Sequence, residues 1–395
     1  MAEQKLVATT GNALVAEAFR QIRPDVVAAY PITPQSSIVE DIAKHVASGR
    51  VHTNYVTTES EHSAMSACIG ASAAGARVAT ATCGPGLAMM WEMLYIASGM
   101  RLPIVMANTN RALSAPINIH CDHSDVMGAR DSSWITLFAE TAQEAYDNTI
   151  MAVRIAEHPD VLLPVMSCLD GFITTHAVDR ACMLDDETVA EFVGEYVPVN
   201  ALLDTENPSS HGNFSGLGGL YFEFKAQQRA AMARASSVVA EVGERFAAIS
   251  GRSFGMVEGW GMEDAETAIV VIGSSAGNVR HVARQLRAKG QKVGVLKIRC
   301  FRPFPVEEIR SALRGLKAIA VLDRSDSFGA EGGPLYLEIR SALYDLQERP
   351  PVVNYVYGLG GADVKLDLIE RVYSDLSGIA VDAVEPAPLT YLGIR

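Results

Sequence analysis

The chain has 395 residues, 49% of them hydrophobic and 20% charged, with a net charge of −13. That length suggests two or three domains with sizeable cores, and the acidic balance argues against nucleic acid or an anionic membrane surface as a general partner. No uncharged apolar run reaches the roughly 18 residues needed to cross a bilayer, and Met1 to Val7 carries charge without a leader-like apolar core, so a cytoplasmic setting is expected.

Residues 1 to about 180 read as alternating strands and small-residue helices. Val26-Val27-Ala28-Ala29 reads as a strand and is followed by Tyr30-Pro31-Ile32-Thr33-Pro34-Gln35-Ser36-Ser37. Two prolines this close cannot sit inside a helix, so Ile32 and Thr33 are held in a stiff loop. Ser36 and Ser37 are expected to cap a helix over Ile38 to Val46. A second strand, Thr53 to Val56, leads through Thr58-Glu59-Ser60-Glu61-His62-Ser63 into a helix, Ala64 to Ala74, closed by Gly75. A third, Arg77 to Thr82, ends in Cys83-Gly84-Pro85-Gly86, which opens a Met-rich helix over Leu87 to Ser98. A fourth, Leu102 to Ala107, runs into Asn108-Thr109-Asn110-Arg111 and on to Pro116. Open α/β sheets place ligands at the carboxyl ends of their strands, so four such loops in succession suggest one cleft along one sheet edge.

Another apolar run, Val161 to Val165, closes this region. A less regular stretch from Asp204 to Gly219 then precedes a helix over Glu223 to Ile249. We place the first domain at 1–255, including that stretch and helix, and the second at 256–395. The second contains strands at Ala268 to Ile272, Val293 to Ile298 and Ala318 to Leu322, with a helix over Asn278 to Lys289. The Gly273 to Gly277 turn lacks Gly-x-Gly-x-x-Gly spacing and reads as a plain strand–helix turn.

Cys68, Cys83, Cys121, Cys168, Cys182 and Cys300 include no C-x-x-C pair, hence neither an iron–sulfur run nor a zinc site. They read as small buried hydrophobes in a reducing compartment. His120 and His123 lack further clustered ligands and read as a hydrogen-bonded loop pair, so no metal site is expected. There is no Gly-Asp-Gly and no Walker-type loop, and Asp170-Gly171 has no suitable Asn downstream.

Six pieces occur together over nearly the whole chain. They are Tyr30 to Pro34, Glu59 to Ala64, Cys83 to Gly86, Asn110 to Pro116 with Asp122-His123-Ser124-Asp125, Leu162-Leu163-Pro164 with Leu169 to Phe172, and Phe301 to Pro305. In that order they resemble the α subunit of the 2-oxoacid:ferredoxin oxidoreductases, thiamine-diphosphate enzymes of the pyruvate synthase type. The resemblance implies an α/β fold: a pyrimidine-type thiamine-diphosphate-binding parallel-sheet domain followed by a transketolase C-terminal-like domain. It also implies oxidative decarboxylation of a 2-oxoacid to acyl-CoA, with electrons passed to iron–sulfur clusters on partner subunits. The missing Gly-Asp-Gly then assigns the magnesium–diphosphate half of the site to a β subunit. A ferredoxin-like subunit and a gamma-type subunit complete the expected complex.

The same resemblance assigns roles. Glu61 corresponds to the carboxylate that meets the aminopyrimidine N1′, with Glu59 the neighbouring candidate. The two alternate as i, i+2 and would share one side of an extended loop. Pro31, Ile32, Gly84 and Pro85 line the cofactor. Arg111 matches the guanidinium that takes the substrate carboxylate, a pairing suited to two charge-assisted hydrogen bonds. Thr33 supplies a hydroxyl to the substrate. Asn110 reads as either a turn residue or a substrate contact. Many pyruvate-type members carry Trp-Asn where this chain has His120-Cys121. If that position faces the substrate, a larger 2-oxoacid, branched or aryl such as phenylglyoxylate, competes with pyruvate. Two other readings stay open: a transketolase- or E1-like chain without iron–sulfur partners, and a catalytically silent assembly subunit.

Overall fold

A computed structural model describes residues 3–212, 214–381, 385, 387 and 389–394. Met1 and Ala2, at the head of the stretch read as lacking a leader, and Arg395, at the end of the second expected domain, lie outside the described residues. The strands are β1 Gln4–Thr10, β2 Val26–Ala29, β3 Asn54–Thr57, β4 Val78–Thr82, β5 Val105–Asn110, β6 Ile135–Ala139, β7 Val165–Asp170 and β8 Val178–Leu184. They continue as β9 Val257–Trp260, β10 Thr267–Ile272, β11 Val293–Ile298, β12 Cys300–Arg302, β13 Ala318–Asp323, β14 Val352–Tyr357 and β15 Leu389–Leu392.

Three sheets result. The first has the order β12-β6-β7-β5-β4-β2-β3 and the second β15-β14-β13-β10-β11-β9, while β1 pairs with β8 alone. The two large sheets are parallel except at one edge each, where β12 runs antiparallel to β6 and β9 to β11. Strands such as β10 and β11 are buried from end to end, as parallel strands covered by helices on both faces must be. One apolar core gathers side chains from both large sheets: Met65, Leu87, Phe138 and Met166 pack in the same cluster as Val270, Leu296, Phe301 and Ile339. The two sheets therefore share a common interior. The first sheet also takes its edge strand, β12, from the second half of the chain.

Several expected elements shift. The second helix is Ser36–Ala47, with Gln35 at its N-cap and no side-chain cap, so Ser36 and Ser37 lie inside it. Asn12 Nδ2 donates to Ser37 Oγ at 2.8 Å, so that hydroxyl ties two helices together. The helix expected over Leu87 to Ser98 is two helices, Gly84–Met89 and Trp91–Gly99, meeting at Met90. The strands expected at Leu102 to Ala107 and Val161 to Val165 start later, at Val105 and Val165, so Asn110 ends a strand and is not a turn residue. None of the described helices is long and apolar enough to cross a membrane.

Candidate active site

β2, β3, β4, β5 and β7 all run parallel, so the segments that follow them gather at one edge of the first sheet. Gln35 pins the proline loop there. Its Nε2 donates to Ala81 O of β4 at 2.9 Å, and its Oε1 accepts from Ile32 N at 3.3 Å. Pro31 and Thr33 are exposed and Ile32 is half-buried.

Glu61 opens the helix Glu61–Ala73, with Ser60 as its cap accepting from Ser63 N at 3.2 Å. This corrects the extended-loop reading of Glu59 and Glu61. The cap turns the chain so that Glu61 is buried, whereas Glu59 stays exposed and accepts a 2.6 Å bond from Ser63 Oγ. That hydroxyl holds the Glu59 carboxyl below its usual range. Glu61 faces Gly86, where a Cβ would lie 2.7 Å from its Oε1 and 2.6 Å from Thr82 Oγ1. Only glycine lets the helix backbone come this close. Thr82 Oγ1 is buried without a hydrogen-bond partner among the described residues, and the side-chain bonds around the cap leave the Glu61 carboxylate unused. A buried carboxylate with free lone pairs beside an orphaned hydroxyl is a place prepared for a polar ligand. These residues fit an aminopyrimidine, which offers ring-nitrogen and amino groups to such a pair.

Arg111, only 6% exposed, crosses from the end of β5 to the proline loop. Its Nε donates to Asn118 O at 3.0 Å and its Nη1 to Thr33 O at 2.9 Å. Two carbonyls thus fix the guanidinium plane, and Nη2 carries no protein hydrogen bond among the described residues. Thr33 meets Arg111 through its carbonyl, while its side chain lies on an exposed residue. Cys83 Sγ also reaches Thr33 O, at 3.1 Å. Burial pushes the Cys83 thiol up to about 12, which removes it as a thiolate nucleophile near neutral pH. Gly84 adopts φ +45°, and a Cβ there would sit 3.0 Å from Arg111 Cγ. Pro85 is half-buried at the start of the same helix. Asn110 is fully buried, with Nδ2 bonded to Asp125 Oδ1 at 3.0 Å and Oδ1 unpartnered among the described residues. Asp125 was legible as part of Asp-His-Ser-Asp, but nothing local announced its partners.

His120 and Cys121 part company. His120 is exposed, its backbone N–H donates to Asn118 Oδ1 at 2.7 Å, and its ring lies 5.2 Å from that of Phe172. Cys121 is buried within 4.8 Å of His123 and Asp170 ligand atoms, and burial pushes its thiol well up. It therefore contributes no exposed surface to a pocket. The expected His120–His123 pair does not form, because His123 Nε2 donates to Asp170 Oδ1 at 2.8 Å.

That aspartate is the hub between the sheets. Asp170 Oδ2 accepts from Ser274 N at 3.0 Å, Ser274 Oγ at 2.5 Å and Arg324 Nη1 at 3.1 Å. Burial alone would raise its carboxyl, but His123, Arg324 and Ser274 outweigh burial and hold it well below the usual range. Cys121, His123 and Asp170 have the donor types of a metal centre, yet the carboxylate is already saturated by donors and faces a guanidinium. The Gly273 to Gly277 turn is thus more than a plain turn, since Ser274 clamps the junction.

Residues 17–244 match the family described as pyruvate flavodoxin/ferredoxin oxidoreductase, thiamine diphosphate-binding, and residues 265–369 match pyruvate:ferredoxin oxidoreductase core domain II. The chain belongs to the 2-oxoacid:ferredoxin oxidoreductases. Within that family it is similar to the pyruvate synthase subunit PorA of Thermotoga maritima, with 54% identity over 98% of each chain. It is also similar to the NADH-dependent phenylglyoxylate dehydrogenase subunit alpha of Aromatoleum evansii, 40% identical over 99% of this chain and 95% of that one. The fold matches a 2-oxoglutarate:ferredoxin oxidoreductase from Magnetococcus marinus with a TM-score of 0.73 at 22% identity, covering 94% of this chain and 65% of that one. A split-gene transketolase gives a TM-score of 0.54 at 13% identity, over 95% of this chain and 97% of that one. This family member is therefore an α-type subunit of an oxidoreductase acting on 2-oxoacids, with a thiamine-diphosphate-binding domain.

Proposed function

We propose that the chain supplies the aminopyrimidine- and 2-oxoacid-binding half of a CoA-acylating active site, completed by a β subunit that holds the magnesium–diphosphate end. The observation that carries this reading is the presence, at one sheet edge, of a buried carboxylate without a partner among the described residues, Glu61, and of a guanidinium held by two carbonyls, Arg111. In the overall reaction a 2-oxoacid and CoA give acyl-CoA, carbon dioxide and a proton, and the two electrons released reduce the oxidised acceptor. Thiamine diphosphate, when bound, supplies a nucleophilic carbon and an electron sink for decarboxylation. Glu61 would hold the proton at the pyrimidine N1′, and Pro31, Ile32, Gly84 and Pro85 would wall the ring. Arg111 would take the substrate carboxylate through its Nη2 and the second Nη1 hydrogen, with Thr33 and His120 around the bound acid and the fully buried Asn110 beneath the strand end, tied to Asp125. Electrons leave on iron–sulfur clusters of a ferredoxin-like subunit, and a gamma-type subunit completes the assembly.

Support for partners comes from Met89 and Trp91, which are 55% and 51% exposed on the two helices that follow the Gly84 turn. Large exposed apolar side chains beside a site suit a subunit interface. The chain's division at 255/256 and a cytoplasmic setting belong to the same proposal. All six cysteines are free, as in a reducing compartment. Pyruvate is the first choice of substrate, because the 54% identical relative is a pyruvate synthase subunit. An aryl 2-oxoacid is the second reading, favoured by the neighbouring His120 and Phe172 rings, His120 being bonded to Asn118, whose carbonyl anchors Arg111.

Expressed without partners, the chain is expected to be colourless, inactive and poor at retaining thiamine diphosphate, because magnesium–diphosphate contacts are the strongest anchors such a cofactor makes. Adding β and iron–sulfur subunits restores turnover, and a panel of 2-oxoacids with CoA and an artificial acceptor ranks the substrates. Stoichiometric cofactor and full turnover by the lone chain would overturn the half-site reading.

Arg111→Ala should cost about 2–4 kcal/mol in kcat/KM for the 2-oxoacid, the scale of a lost charge-assisted pair. Arg111→Lys should recover only part of that, since an ammonium cannot hold both carbonyls and still present a fork. Unchanged kcat/KM in Arg111→Ala would make the arginine purely structural.

A further inference from the structure

We infer that Asp125 is a positioning residue for the 2-oxoacid site, its carboxylate locking the Gly84 turn and the Arg111 strand end into one piece. The inference rests on the roles of Arg111 and Glu61 proposed above. Asp125 is 3% exposed and accepts five hydrogen bonds. Its Oδ2 takes Gly84 N at 3.0 Å, Asn108 Nδ2 at 3.1 Å and Arg111 N at 3.1 Å. Its Oδ1 takes Asn110 Nδ2 at 3.0 Å and Val126 N at 2.7 Å. Every donor is an N–H, and among the described residues no cation pairs with the carboxylate.

A buried anion without a counter-charge is expensive, so its hydrogen bonds must hold it in place. Burial pushes its carboxyl above the usual range, while the bonds from Asn110, Gly84, Val126 and Arg111 pull it back. The donors belong to two catalytic segments. Gly84 begins the helix whose Gly86 presses on Glu61 and Thr82. Arg111 begins the side chain that reaches Thr33 O. One carboxylate therefore lies beneath both the cofactor end and the substrate end. An asparagine of the same shape would not serve, because its amide NH₂ would face N–H donors.

The test uses the assembled complex carrying Asp125→Asn. Misplacing a positioned group by about 1 Å costs on the order of 10²-fold. KM for the 2-oxoacid should rise about 10-fold or more and kcat should fall with it. Amide hydrogen exchange over residues 84–90 and 108–112 should lose protection together, while 105–107 stays protected. Asn108→Ala, which removes one donor and keeps the charge, should move the same two segments and KM in the same direction by a smaller factor, and it serves if Asp125→Asn does not assemble. A lowered melting temperature with wild-type KM and wild-type exchange at both segments would overturn the inference. So would lost protection confined to Ser124–Ala129. If the wild-type complex turns over no 2-oxoacid, the functional reading fails by itself. Coupled loss at Gly84 and Arg111 would still uphold the linking role of Asp125.

Discussion

In the assembled complex, Glu61→Gln lowers deuterium exchange at the cofactor C2 and 2-oxoacid turnover by about 10²–10⁴-fold, the range for losing a positioned acid–base group. The amide keeps the shape of the carboxylate, so the tight approach of Gly86 is undisturbed and the fold survives. It loses the ability to take and return a proton at the buried position next to Thr82. Glu59→Gln is the control. That side chain is exposed and serves the helix cap through Ser63, so exchange at C2 should stay near wild type. Wild-type exchange in Glu61→Gln, or a collapse in Glu59→Gln, would reverse the assignment of the two glutamates.

Asp170→Ala should destabilise the chain by about 3–5 kcal/mol, the cost of leaving a buried charge without its partner. The change strands Arg324 and His123, both buried away from water, and removes the acceptor that holds the half-buried Ser274. Denaturant midpoints at neutral pH measure the loss, and a change below about 1 kcal/mol would mean that the apolar core alone holds the sheets together. The pH dependence follows from the direction of the shift. The folded carboxyl titrates well below the unfolded one, which has a pKa of about 3.9. Its stabilisation is therefore complete above the unfolded value and is lost as pH falls below it. Asp170→Asn should flatten that acid limb of the stability curve.

What the sequence made legible was local. Proline spacing placed a stiff loop before the helix at Ser36, and alternating strands and helices placed Thr33, Glu61 and Arg111 after the first, second and fourth of four strands. Those ends converge because parallel strands share one carboxyl edge. What stayed hidden depends on distance along the chain. Asp170 meets Arg324 across 154 positions, and Gln4 pairs with Leu184 in an isolated antiparallel ribbon that no periodicity foretells. The three-residue strand β12 is too short to carry a pattern and exists only because β6 offers it an edge. The β14 run, Val352-Val353-Asn354-Tyr355-Val356-Tyr357, was readable from its β-branched and aromatic residues but was missed. The motif singled out Glu61 over Glu59, but their opposite burial follows only from Ser60 capping the helix that begins at Glu61.

The edge strand Cys300–Arg302 limits how this protein can be recombined. A chimera joined at residue 256 would bring its own C-terminal half and with it a foreign closing strand, against which the flank of Ile135–Ala139 must re-register. Omitting that half would leave the same flank as a bare hydrogen-bonding edge, open to pairing with any extended peptide. Exchanging substrate-binding regions between relatives of this chain therefore calls for transplanting residues 300–302 together with the N-terminal half, or for keeping both halves from one parent.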